Sequence, residues 1–269
     1  MKSVFARRTI FSVWLQCLWI CCASAMSQIA FGHEPSDATL VDKLAPEESS
    51  SGVIEGLVTF SGDVPKSKVP DNAIEHRPLL SVDRKSHGVG FVLICLELDK
   101  SRISETVDLQ QDNDMSRSDV VVVDQLEHRF VPHLIAIRAG QKIKFTNSDT
   151  ANHNVRSNSF ESENQFNVLT GAGSDYVHQF VAERKLRPAK LTCDLHRWMQ
   201  GWIYVLEHPY YDVTDKSGKF RIGSISPGKH QLSIRQPDVG YRHSREIEVL
   251  AGKATKLQIN IDRDELKDF

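Results

Sequence analysis

The sequence predicts an all-β protein, and three observations carry that reading. Apolar and β-branched residues come in short runs, either alternating at period two or unbroken over a few positions. Gly, Pro, Asn and Asp punctuate the gaps between those runs. No stretch combines a long 3.6-residue apolar period with helix caps.

The strands are read in order. Val53-Ile54-Glu55-Gly56-Leu57-Val58-Thr59-Phe60 is the first, closed by a turn at Gly62-Asp63. Gly88 to Leu98, with Phe91, Val92, Leu93, Ile94, Cys95 and Leu96, is short and apolar enough for a buried strand. Val120 to Val123 and Pro132 to Ile137 follow, and Lys142-Ile143-Lys144-Phe145 alternates cleanly. Asp175 to Phe180, Ala189 to Cys193 and Trp202 to Leu206 come next. Beyond the Asp215-Lys216-Ser217-Gly218 turn lie Lys219 to Ile222, His230 to Ile234 and Ala254 to Ile261, with Ser226-Pro227-Gly228 between the first two. Many short strands with regular punctuation fit β-sandwiches or barrels.

The start of the chain reads as an export signal. Lys2, Arg7 and Arg8 precede an apolar stretch from Thr9 to Cys22, and Ala23-Ser24-Ala25 offers a small-x-small cleavage pattern. That stretch is shorter than a comfortable membrane span. The expectation is a signal peptide over 1–25 and a mature protein that is periplasmic or secreted and not membrane-inserted; an uncleaved anchor is the competing reading. Residues 26–51 are polar, with Pro, Ser and Glu prominent, and read as a linker.

Loss of residues 1–25 leaves 30 Lys+Arg against 35 Asp+Glu, a balance of −5. A chain of that sign is a poor match for nucleic acid. It also leaves two cysteines, Cys95 and Cys193, too few for a disulfide-stapled scaffold. No Gly-x-Ser-x-Gly elbow, His-Glu-x-x-His helix or Gly-rich phosphate loop occurs, so no enzyme activity is expected.

The chemistry concentrates in Thr192-Cys193-Asp194-Leu195-His196-Arg197-Trp198-Met199-Gln200-Gly201, a short loop between two strand readings. It can turn a thiolate, an imidazole and a thioether toward one point. Those donors, with one more imidazole, describe a blue-copper electron-transfer site. His153, in the loop Asn147 to Val155 after the strand ending at Phe145, supplies the second imidazole. Other readings stay open: Cys193 in a disulfide with Cys95, zinc on Cys and His, or ligands that hold no metal. His128 and His133 lie near the first ligand loop's strand pair and offer a different ligand set, although His133 reads as a packed or hydrogen-bonded histidine within a strand. Trp198 serves either as a lid over the loop or as a docking residue for a partner, and Arg197 reads as a solvated charge.

At these residues the chain resembles the plastocyanin and amicyanin kind of cupredoxin. Phe130-Val131-Pro132, Ala139-Gly140-Gln141-Lys142-Ile143-Lys144-Phe145-Thr146-Asn147 and His153-Asn154-Val155 look like the strand pair and first ligand of that family. The Cys-x2-His-x2-Met spacing is similar to amicyanin. The resemblance implies a Greek-key sandwich holding one type 1 copper on His153, Cys193, His196 and Met199. It also implies one-electron exchange with a redox partner protein. Asn154 would tie the two ligand loops together, whereas Asp194 departs from the small or hydroxyl residue usual there. The alternative in another class is a non-redox binding module that sequesters copper or recognises a surface partner.

Thr214 to Ile261 resembles the carboxypeptidase regulatory-like domain, a small transthyretin-like sandwich, on Thr214-Asp215, Gly218 to Ile222 and Ile225-Ser226-Pro227-Gly228. Its two opening strands look like 53–60 and 90–98. The expected organisation is a discontinuous second sandwich from 52–100 and 208–263. A cupredoxin at 118–207 is inserted into it after a connection at 101–117. The competing picture threads 53–98 into the cupredoxin as extra strands.

Overall fold

The computed structural model describes residues 51–64, 80–99 and 120–266. The signal segment, the linker up to residue 50 and the 101–117 connection lie outside the described residues. The described chain is all-β. It begins with β1 (Gly52–Ser61), β2 (Ser81–Val82), β3 (Val89–Gly90) and β4 (Leu93–Glu97). The central part holds β5 (Val121–Leu126), β6 (Arg129–Val131), β7 (Leu134–Arg138), β8 (Lys142–Asn147), β9 (His153–Asn158), β10 (Phe166–Thr170), β11 (Asp175–Gln179), β12 (Ala189–Thr192) and β13 (Gln200–Leu206). The last part holds β14 (Tyr211–Val213), β15 (Lys219–Ile225), β16 (Gly228–Gln236), β17 (Tyr241–Val249) and β18 (Ala254–Asp262). Helical structure among the described residues is limited to three-residue 3-10 turns, and none is long and apolar enough to cross a membrane.

Four sheets stack as layers. The outermost is β15-β1-β18, then β14-β4-β16-β17, then β10-β9-β12-β13-β7, then β11-β8-β5-β6; β2 and β3 form a small extra ribbon. Three apolar cores lie between them. Ile54, Val58, Phe60, Ile94, Leu96, Leu232 and Ile234 fill the first gap. Leu93, Cys95, Leu134, Tyr204 and Leu206 fill the middle one. Val123, Ile143, Phe145, Ile203, Val205, Cys193 and Met199 fill the last.

This stacking explains the unbroken apolar runs. Successive strand side chains point to opposite faces, so Ile94 and Leu96 enter the first core while Leu93 and Cys95 enter the second. In β13, Ile203 and Val205 face one core and Tyr204 and Leu206 the other. A strand buried on both faces cannot afford an alternating polar side. Each such fully buried aliphatic contributes roughly 1.5–3 kcal/mol. The same alternation separates the two cysteines: both are free and buried, in different cores. Burial pushes the Cys95 thiol up to about 12, so it packs as a small hydrophobe.

The chain leaves β4 at Glu97 and returns onto the same strand as β14, with Tyr211 opposite Cys95. Strands β1 and β4 pair with strands after Tyr211, and β5 to β13 pair with one another. Two polar links cross the middle gap or sit at its edge. Asp238, on a 3-10 turn after β16, takes bonds from His133 and Trp202. His208, between β13 and β14, accepts from the Tyr210 backbone N–H. His133 itself lies between β6 and β7 rather than within a strand, after a cis Val131-Pro132 bond.

Burial pushes His208 down to about 4, helped by the nearby Arg138 charge and opposed by a bond to the Leu96 backbone. The unfolded chain protonates this imidazole near 6.5 and the folded chain only near 4. Stability is therefore complete above pH 6.5 and falls as pH drops through that window, by about 3 kcal/mol at most. Urea unfolding of wild type and His208→Gln at pH 7.5, 5.5 and 4.5 is expected to show a shallower acid loss in the variant.

Candidate metal centre

Cys193 follows the last residue of β12, and Gln200 opens β13, so residues 193–199 form the loop that joins two paired neighbours of one sheet. The loop is cinched from within: the Met199 N–H donates to the His196 carbonyl at 2.9 Å, and the Cys193 N–H donates to the Met199 carbonyl at 3.3 Å. That closure turns Cys193 and Met199 into the core, both almost fully buried, and leaves His196 partly exposed and Arg197 exposed.

His153 is the first residue of β9 rather than a loop residue, and is completely buried. β9 pairs with β12 in the same sheet, which sets His153 beside the Cys193 loop. Its Nδ1 lies 2.9 Å from the His196 Nδ1 and 4.0 Å from the Cys193 Sγ. The Cys193 Sγ is 3.8 Å from the His196 Nδ1. A first-row divalent ion such as zinc sits about 2.0 Å from nitrogen and about 2.3 Å from sulfur, so donors sharing one ion stand roughly 3–4 Å apart. The three atoms meet that condition without rearrangement. Soft thiolate with imidazole, and a thioether in the same core at Met199, suits copper above zinc, which has no use for the thioether.

The protonation of His153 is set by its other ring nitrogen. Nε2 lies 2.8 Å from the Asp149 carboxylate, which can only accept, so Nε2 carries the hydrogen and Nδ1 presents a lone pair to Cys193 and His196. Burial pushes the Asp149 carboxyl up. The His128 N–H, the His153 ring and the Glu127 N–H outweigh it, so the group titrates below its ordinary value. His196 titrates below the usual imidazole range, first through burial and then through the charges of His153 and His128, with Asp149 pulling the other way. The shift on His196 keeps that ring neutral, with a lone pair to donate, at neutral pH.

Asn154 joins the two ligand segments. Its Oδ1 accepts from the Asp194 N–H at 2.7 Å and from the Cys193 thiol at 3.3 Å. Its Nδ2 donates to Asn167 and, at 3.3 Å, to the Asp194 carboxylate. Asn167 and Arg156 also reach that carboxylate, at 3.0 and 3.2 Å. The acid at position 194 is thus satisfied by neighbours on β9 and β10. The interior Gln125 adds a further tie, donating to the Asn154 carbonyl and accepting from Thr170. Trp198 is half-buried against the core, with its ring 5.4 Å from that of His196.

The structure therefore brings His153, Cys193 and His196 together, puts Met199 in the same core, and leaves Arg197 at the surface. It adds two residues the sequence did not single out, Asp149 and Asn167, and it sets His128, the alternative histidine, against the centre while His133 turns to Asp238. The His128 ring stands 4.7 Å from that of His196 and 5.2 Å from that of His153. An acid four positions before His153 was visible in the sequence, but its partner hairpin was not.

The chain matches no family model and no curated protein. Solved structures similar to it include a Cu-containing nitrite reductase from Thermus scotoductus SA-01. That match is 22% identical with a TM-score of 0.29, covering 33% of this chain and 22% of that one. Amicyanin from Paracoccus versutus is 20% identical with a TM-score of 0.28, covering 33% of this chain and 82% of that one. The chain thus spans about a fifth of the length of the nitrite reductase.

Proposed function

We propose that the protein is an exported electron carrier that holds one copper ion on Cys193, His153 and His196, with Met199 as a weak fourth donor. The observation that carries the reading is the convergence of the Cys193 sulfur and two Nδ1 atoms within 4.0 Å of one another at the edge of a rigid core. Copper, when bound, would supply a one-electron couple whose potential depends on the sulfur's surroundings and on the thioether of Met199.

The chain's own residues supply the rest. Asp149 holds the His153 ring in one orientation and one tautomer. Asn154 fixes the Cys193 loop against β9, so the donors keep one spacing whatever the charge between them. The surrounding core, with Val155, Phe145 and Ile143 all fully buried, excludes water from the sulfur side. His196 alone of the three donors reaches solvent and offers the short route for an electron to a partner protein, with Trp198 and Arg197 beside it.

The opening of the chain, basic and then apolar with a small-x-small end, supports export to a periplasmic or secreted location. The return of the chain onto β4 as β14 supports an inserted copper domain within a second, scaffold-like sandwich. Loop-closure cost grows slowly enough with length to allow such an insertion.

Addition of Cu(II) is expected to produce an intense visible thiolate-to-copper band that Cys193→Ser abolishes while the fold persists. A colourless wild type, or a band that survives the substitution, would sink the reading in favour of a non-redox binding module.

A further inference from the structure

The tip of the β5–β6 hairpin is under backbone strain at a place with no turn-forming residue. Leu126 pairs with Arg129, leaving Glu127 and His128 as a two-residue loop with φ of 50° and 57°. Such mirror-image turns ordinarily use Asn-Gly or Gly-Gly, because both central residues adopt positive φ. Non-glycine residues in that region cost on the order of 1 kcal/mol each. The strain is held by one carboxylate: Asp149 accepts the Glu127 N–H at 2.7 Å and the His128 N–H at 2.9 Å. The same Asp149 Oδ2 that receives His128 also receives His153 Nε2.

The result of this arrangement is a third imidazole at the centre. His128 meets His153 and His196 edge-on, and Trp198 stacks behind it at 6.4 Å. One ring nitrogen of each of the three histidines lies within 4.8 Å of the others. Nitrogens sharing one tetrahedral ion stand about 3.3 Å apart, so a shift of about 1.5 Å at most closes the remainder. The His128 side chain is 42% exposed at a hairpin tip, where such a shift is inexpensive.

We infer that His128 is a further metal donor, so that a divalent first-row ion at this centre meets three imidazoles. This rests on the location of the centre proposed above, but not on its electron-transfer role. A third nitrogen makes the set richer in borderline donors and suits Cu(II) more than the thioether alone would.

The test uses the full chain and Cu(II) alone, with pulsed electron paramagnetic resonance to count bound imidazoles. Wild type, His128→Phe, His128→Gln and Cys193→Ser are compared, with circular dichroism to check that each is folded. The expected result is three imidazoles in wild type and in Cys193→Ser, two in either His128 variant, and affinity at least about tenfold weaker in those variants. The phenylalanine variant keeps a ring against Trp198, and the glutamine variant keeps a polar side chain at the tip, so agreement between them excludes a packing effect. Two imidazoles in wild type, unchanged on removal of His128, would overturn the inference while leaving an intense thiolate band and the electron-carrier reading intact. Three imidazoles without that band would support His128 as a donor and overturn the electron-carrier reading instead.

Discussion

Asp238→Ala is expected to destabilise the protein by about 3–5 kcal/mol, the cost of removing one partner from a buried hydrogen-bonded charge. The Asp238 side chain is 3% exposed and sits against a His133 side chain that is 7% exposed, at 2.8 Å. Its carboxylate also receives Trp202 Nε1 at 2.8 Å, Gln236 Nε2 at 3.1 Å and Gln200 Nε2 at 3.4 Å. Burial alone pushes this carboxyl up, yet the donors from His133, Trp202 and Gln236 overcome it and hold it below its ordinary value. Truncation leaves those donors buried and unpaired, which is costlier than the bonds themselves were worth. Because Trp202 lies on β13 and His133 leads directly into β7 of the same sheet, while Asp238 sits on the turn after β16, the loss falls on the seam between the two sheets. Urea unfolding at pH 7 measures it; a loss under 1 kcal/mol would mean the seam relaxes to admit water. A depressed carboxylate contributes stability above its unfolded value and loses it as pH falls through the folded one. This term therefore acts at lower pH than the His208 loss.

Gly88→Ala is expected to cost about 3 kcal/mol or more, or to prevent folding. A Cβ on Gly88 would sit 1.8 Å from the Ser217 carbonyl oxygen and 2.2 Å from its carbon, both backbone atoms that cannot swing aside. Facing it, Gly218 has φ +85° and would itself press a Cβ to 2.3 Å from the Val58 carbonyl. The 83–88 turn and the 215–218 turn therefore meet backbone to backbone, with Val58 N–H bonded to the Gly218 carbonyl at 2.8 Å. This contact fastens β1 and its neighbours to the C-terminal strands. A thermal transition unchanged by the substitution would mean that the two turns separate freely.

Much of the candidate centre was legible because its candidate donors are local. Cys193, His196 and Met199 lie within seven residues, so their spacing alone constrains a loop between two strands. His153 was legible as a partner, though not as a strand residue: His153-Asn154-Val155-Arg156-Ser157-Asn158 is polar and lacks apolar alternation, and only pairing with β10 and β12 makes it β9. The placing of His128 was not legible, since Glu127-His128 carries no turn signature and the carboxylate that holds it comes from Asp149, more than twenty residues on. The long strand β17 was hidden for a related reason: Tyr241-Arg242-His243-Ser244-Arg245-Glu246 faces solvent at most positions and reads as polar loop. The all-β class was plain, whereas the four-layer stacking was not. Runs such as Leu93-Ile94-Cys95-Leu96 announce burial on both faces without naming what covers them.

The most direct measurement of the central claim is voltammetry of the copper-loaded full chain beside Cys193→Ser. The account expects a reversible one-electron wave in wild type, with little change of shape between scan directions, and no such wave in the variant. Irreversible copper release on reduction, or an identical wave without the Cys193 sulfur, would contradict it.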